Sequence, residues 1–319
     1  MVTGVCIALV SGLSAFAQGQ DSTPAERDIM TIGALLPGHY NNANQSYFDV
    51  RLKRPAEQRH AFVEMTVEHA LAPRLGPYAY VARYQNSGHK DGALQFVYAL
   101  AVDNEAEAVR MKTYALKTTP KGDIKPRHVD YIDGCDLLWR QEAGQFRATL
   151  EGDSCTLSDY RAAGTYEMLL TPDALWHSGL NAAAGFQQLD RSRSFECYID
   201  VPGVGGGRDI PFERLELGTL HDLGGEAWAT TKDGMAIGVN LFRVMWTFNN
   251  YEGVFARPSF VIYVKTKDDN DKAKEVAYAF TSTDAERIGI NLKWALASCY
   301  MLSNKSITPF FKNDEPKVH

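Results

Sequence analysis

Most of this chain alternates apolar and polar residues with a period of two, in short runs cut at close intervals by turn residues. That pattern confines it to antiparallel sheet. "HAFVEMTVEHA" sets Ala61, Val63, Met65 and Val67 opposite Phe62, Glu64, Thr66 and Glu68, and "PYAYVARYQ" and "LQFVYALAV" continue the alternation. "VRMKTYAL", "CDLLWRQ", "QFRATLEG", "TYEMLLT" and "ALWHSG" follow, separated by "TTPKGD", "EAGQ", "GDS" and "TPD". "YFDVRLKR", with Phe48, Val50 and Leu52 on one face, reads as a further strand. Many short strands at this spacing make a sandwich or a barrel, so the expected class is all-β.

One segment departs from the two-residue period. "STPAERDIMTIGALLPGHY" offers Ser22 or Thr23 as N-cap, Pro24 in the first turn, and Ile29, Ile32, Gly33 and Leu36 on one face. It predicts an amphipathic helix that stops at Pro37-Gly38. Further on, the glycine-rich "VPGVGGGRD" at 201–209 divides a domain at 18–200 from a β-rich C-terminal region at 210–302. That region contains "FRVMWTF", "PSFVIYVKT", "EVAYAFTST" and "RIGINLKWAL". The last run alternates through Ile288, Ile290, Leu292, Trp294 and Leu296 and reads as one strand, with a helix capped by Thr283 and Glu286 as the competitor. The region either extends the first sheet or stands as a second domain.

Composition limits the partners. A formal net charge of −6 over 319 residues leaves no basic excess to neutralise a phosphate backbone, so nucleic acid is not an expected partner. Residues 1–17, "MVTGVCIALVSGLSAFA", end in Ala15-Phe16-Ala17 and read as a signal peptide, although without Lys or Arg at the start. This places the protein in the periplasm or outside the cell. After Gln18 no apolar run approaches the roughly 20 residues of a transmembrane span. Removing the signal removes Cys6 and leaves Cys135, Cys155, Cys197 and Cys299, an even set that favours disulfides. Cys135 opens one strand and Cys155 follows its hairpin partner, which suits a staple. By elimination Cys197 pairs with Cys299, tying the C-terminal region to the first domain.

Local chemical motifs are few. "GVGGG" lacks the Lys-Ser/Thr of a phosphate loop and the strand-helix context of a dinucleotide site, and reads as a turn. The histidines show no metal spacing and no C-x-x-C or G-x-S-x-G occurs, which leaves only a metal site built from distant residues. Glu64, Arg83, Arg140 and Arg147 interrupt apolar strands. Each lies on a solvated face or, in a closed barrel, is paired inside a ligand cavity. Tyr40, Tyr47, Tyr78, Tyr80 and Tyr84 either pack the sheet or line a cavity for a flat conjugated ligand.

Several of these blocks resemble the T-type phycobiliprotein chromophore lyases, the CpcT/CpeT family, in order and spacing over residues 30 to about 195. "LLPGHYNNANQ" is similar to the family's opening, with Gly38, Tyr40 and Gln45. "FVEM" resembles its aliphatic-Glu strand, "PYAYVARY" its Pro-Tyr-Arg strand, and "GCDLLWRQEAGQFRATLEGDSC" its Gly-Cys strand, hairpin and second Cys. Ala79 stands where the family has Arg, and Ser192 follows Asp190-Arg191 where it has Gly. The resemblance implies a small antiparallel calycin-like barrel that binds an open-chain tetrapyrrole, a bilin, and attaches it to a cysteine of an acceptor protein. It implies Glu64 as the acid at the pyrrole nitrogens, Tyr40, Gln45 and Tyr78 as ligand contacts, and Arg83 or Arg147 as holders of propionates. It also implies a homodimer. The alternative is an exported, non-enzymatic β-barrel binding module for another amphipathic small molecule.

Overall fold

The computed structural model describes residues 23–86, 94–152, 155, 166–178, 185–202, 211–268 and 270–302. The expected signal peptide and the glycine run at 203–207 lie outside them. The N-terminal unit comprises α1 (Pro24–Leu35), β1 (Gly38–Asn41), α2 (Ala43–Arg51), β2 (Val63–His69), β3 (Tyr78–Asn86), β4 (Leu94–Asp103), β5 (Ala108–Leu116), β6 (Val129–Tyr131), β7 (Leu137–Glu142), β8 (Gln145–Leu150), β9 (Glu167–Leu170), β10 (Ala174–His177) and β11 (Gln187–Arg191). The C-terminal unit comprises β12 (Ser194–Val201), β13 (Glu213–His221), β14 (Leu223–Thr230), β15 (Ala236–Asn250), β16 (Gly253–Lys267), β17 (Ala273–Thr281), β18 (Arg287–Asn291) and β19 (Leu296–Met301).

The first unit is a closed antiparallel barrel of ten strands, as the sequence pattern predicts. Chain neighbours pair from β1 to β5, β5 pairs β7, the meander continues to β11, and β11 pairs β1 to complete the ring; β6 adds to β5 alongside. Alternation decides the two faces. Val63, Met65 and Val67 of β2 and Tyr80, Ala82 and Tyr84 of β3 share one interior cluster with Trp139, Ala148 and Met168. Helix α1 plugs one end, because its Ile29, Ile32 and Leu36 are buried in that same cluster. Thr23 caps it through a reciprocal capping box with Glu26 and Pro24 occupies the first turn, so the helix starts where the sequence indicates. Tyr40 Oη donates to Leu35 O and Leu36 O, and Tyr80 Oη donates to Gly33 O, so two barrel tyrosines satisfy carbonyls of the helix's last turn.

The stretch "YFDVRLKR" is not a strand. Its first five residues lie in α2, and the apolar alternation marks no buried face, since Val50 and Leu52 are 59% and 67% exposed. The helical turn is held by distant partners: Gln45 donates to Phe186 O and accepts from Gln188 N, while Asn44 reaches Asp190.

The second unit is a sandwich of two four-stranded sheets, ordered β13-β12-β19-β18 and β14-β15-β16-β17. Phe195, Ile199, Leu241, Phe260, Ile262 and Ala297 lie in the core between them. The run 287–296 is a hairpin, not one strand: Asn291 Oδ1 accepts from Lys293 N, Lys293 has φ 69°, and the chain turns before β19. An Asx turn ends the strand where its alternation would have continued.

Both disulfides are formed, Cys135–Cys155 and Cys197–Cys299. The first staples the β7–β8 hairpin as expected. The second does not tie the two units together, because Cys197 lies on β12, the first strand of the sandwich, directly opposite Cys299 on β19. The barrel ends at β11, earlier in the chain than the boundary expected near residue 200.

Candidate functional site

The barrel interior differs between its ends. Near α1 it is filled by aliphatic side chains, by Trp139 and by the two tyrosines that hold the helix. Burial raises the Tyr40 hydroxyl to about 12, although Arg191 nearby works in the other direction. Toward the opposite end the inward positions carry rings and polar groups. His177 of β10 makes edge contacts with Tyr84 at 5.8 Å and lies 6.2 Å from Tyr166, and Tyr84 meets Phe96 edge-on at 6.2 Å. Gln187 of β11 faces His177 across the strand pair. Its Oε1 is buried without a hydrogen-bond partner among the described residues, as is Trp139 Nε1 of β7 toward the α1 end, where Trp139 pairs Val109 and Val109 pairs Val102. An unmet polar group buried in this way costs about 1–3 kcal/mol.

The charged residues singled out from the sequence lie on the outer wall, because each alternates with an inward neighbour. Arg83 pairs with Glu68, Arg147 with Glu142 and Glu167, and Arg140 donates to Ala106 O. Glu64 lies between the inward Val63 and Met65 and projects outward with them. Gln45 fixes α2 to β11 from outside. Tyr78 sits at the α1 end, lining an open cavity of about 750 Å³ with Ile29, Met30 and Leu100. Of these seven residues, only Tyr40 is fully inside the barrel, and its hydroxyl is committed to α1. The alternation that makes the strands legible also sends these charges to the outside.

Compared with known proteins, the chain matches no family model and no curated sequence.

A second cluster occupies the seam where the outer face of β1 and β2 meets the sandwich. Asn41 Nδ2 donates to Leu223 O across it at 3.0 Å. The fully buried Asp222 carboxylate accepts from Arg193 Nε at 2.7 Å and lies 2.9 Å from Arg243 Nε. Beside this clamp, His39 Nε2 donates to Glu64 Oε1 at 2.6 Å, and the His39 ring stacks on His221 with centroids 4.0 Å apart. That hydrogen bond holds the Glu64 carboxyl below its usual range, against the opposing effect of burial. Burial, then the neighbouring His39, push His221 down to about 4, leaving it neutral at physiological pH. One ligand atom from each of His39, Glu64 and His221 lies within 4.8 Å of the others.

Sequence reasoning passed over His39, Trp139, His177, Gln187 and His221. Inward placement of His177 and Gln187 follows from alternation with Leu175 and Leu189, a signal present in the sequence. Nothing local marks His39 or His221, which come together only through the packing of two units.

Proposed function

We propose that this chain is a small-molecule-binding β-barrel whose ligand, amphipathic and conjugated, enters the end opposite α1. The observation that carries the reading is Gln187 Oε1, buried at that end without a hydrogen-bond partner among the described residues, on the rung of His177 and near the rings of Tyr84 and Tyr166. A ligand with an apolar body and a few polar atoms supplies the missing partner, which is how apolar pockets fix orientation. Flat conjugated rings suit the edges and faces offered by Tyr84, Phe96 and Tyr166. A bilin is the first candidate, because it meets these demands and the sequence resemblance implies it.

Binding is favoured over transfer. The carboxylate assigned as acid, Glu64, is on the outer wall, and the described cysteines are all in disulfides. Two disulfides suit an oxidising compartment, so the proposal places the barrel outside the cytoplasm. No helix among the described residues is long and apolar enough to cross a membrane.

Titrating the full chain with phycocyanobilin, and separately with the amphipathic dye anilinonaphthalene sulfonate, tests the reading. A saturable absorbance or fluorescence change is expected. Gln187→Leu should weaken binding about tenfold without lowering the melting temperature, since it removes an unpartnered acceptor. No spectral change with either probe at high micromolar concentration defeats the proposal. Appearance of thioether-linked pigment on an added acceptor peptide would instead favour the lyase reading.

A further inference from the structure

The seam cluster has no part in ligand capture by the barrel, and its chemistry is different. We propose that His39, Glu64 and His221 form a binding site for a divalent transition-metal ion of the zinc class, bridging the barrel and the sandwich.

Two imidazoles and one carboxylate are a donor set suited to zinc and its neighbours, and three protein ligands leave one position for water or an exogenous ligand. The donor atoms already converge within 4.8 Å. Ligands about 2.0–2.1 Å from a tetrahedral ion stand roughly 3.3 Å apart, so the His39–Glu64 pair, at 2.6 Å, needs to open by less than an ångström. Glu64 has a 37% exposed side chain, which makes the triad reachable from solvent.

A second observation points the same way. Nδ1 of His221 is buried with no hydrogen-bond partner among the described residues, a ring nitrogen that a bound ion would satisfy while His39 meets the ion through Nε2. Two imidazoles stacked 4.0 Å apart beside a carboxylate, one of them with an unmet buried nitrogen, are poorly explained as packing alone.

The three side chains are fixed by independent elements. His39 and Glu64 are diagonal neighbours on β1 and β2, where His39 pairs Thr66 and Asn41 pairs Glu64. His221 ends β13 opposite Ser194, and the next residue is locked by Arg193 and Arg243. Such positioning from rigid strands lowers the reorganisation that metal binding requires.

The inference does not rest on the barrel ligand, since Gln187 and Trp139 lie within the barrel core. The test uses the full chain after chelator treatment, titrated with zinc by calorimetry and with cobalt(II) by visible absorption. One ion per chain is expected, together with a cobalt d–d band and a raised melting temperature. His221→Ala and Glu64→Gln should each weaken binding by at least about tenfold. His128→Ala, in the half-buried turn before β6, should bind as wild type does. Glu64→Gln alters a partly exposed side chain and keeps the test sound where a histidine variant fails to fold. The inference is overturned when wild-type protein takes up no zinc, or when folded Glu64→Gln and His221→Ala bind it as tightly as wild type.

Discussion

The ring of His39, on a barrel strand, lies on the ring of His221, at the end of a sandwich strand, with centroids 4.0 Å apart. This contact shows that the two units meet through a polar and partly charged seam. Asn41 bonds to Leu223 O, and Arg243 donates to Arg191 O, so backbone on each side is satisfied by a side chain from the other. Buried polar groups of this kind demand their partners, and they fix how the units sit on each other.

Asp222 is the seam's central anion. Its buried carboxylate also accepts from Arg193 N at 2.8 Å. Asp222→Asn removes the charge that two guanidinium groups face, and breaking a buried pair in this way costs about 3–5 kcal/mol. Urea unfolding followed by tryptophan fluorescence should record that loss; a change below about 1 kcal/mol would contradict the clamp.

Asp49 predicts an acid-side dependence. Burial raises its carboxyl, but the hydrogen bonds from the His60 backbone and ring, at 2.7 Å each, with Arg54 nearby, outweigh it and leave the group below its usual range. A depressed carboxyl contributes stability that is full above its unfolded value and is lost as pH falls through the folded one. Asp49→Asn should therefore destabilise the protein at neutral pH, and the gap from wild type should close on acidification through the carboxylate range. Denaturant melts at a series of pH values check this, and a gap independent of pH would refute it.

Gly33 lies where α1 packs against two barrel tyrosines. A Cβ built there stands 2.9 Å from Tyr80 Oη and 3.0 Å from the Tyr78 ring. Alanine gains about 1 kcal/mol of helix propensity, yet the buried Tyr80 ring cannot step aside without losing its bond to Gly33 O. Overpacking of this sort costs about 1–3 kcal/mol, so Gly33→Ala should lower the melting temperature slightly. Adding Tyr80→Phe, which removes the nearest atom, should recover part of the loss.

The two disulfides should differ in weight. Cys197–Cys299 closes a separation of 102 residues and Cys135–Cys155 one of 20. In the chain-entropy account the longer loop contributes about 4–5 kcal/mol and the shorter about 3. Removing each pair by Cys→Ala substitution should therefore destabilise the sandwich variant more, measured by thermal unfolding under non-reducing conditions. Equal losses would argue that enthalpy rather than loop closure dominates.

Local period and capping chemistry were enough to reveal the all-β class, α1 with its Thr23–Glu26 box, the strands from β2 to β5 and β7 to β10, and the hairpin staple. These depend on neighbours a few residues apart, and such neighbours are visible in a sequence. They were not enough where distant partners or a local Asx turn override the pattern. Gln45 and Asn44 draw 43–51 into a helix through β11, and the Asn291 turn splits a strictly alternating run into two strands.

The candidate sites divide along the same line. Alternation by itself determined which residues face inward, and so which end of the barrel could be aromatic and polar. Charge on a strand does not say whether a partner waits outside, and Glu64, Arg83 and Arg147 all found theirs on the outer wall. Only the tertiary structure decided that Cys197 belongs to the sandwich and that His39, Glu64 and His221 converge. Their convergence depends on the docking of two units through Asn41 and Arg243, and no periodicity within either unit encodes that packing.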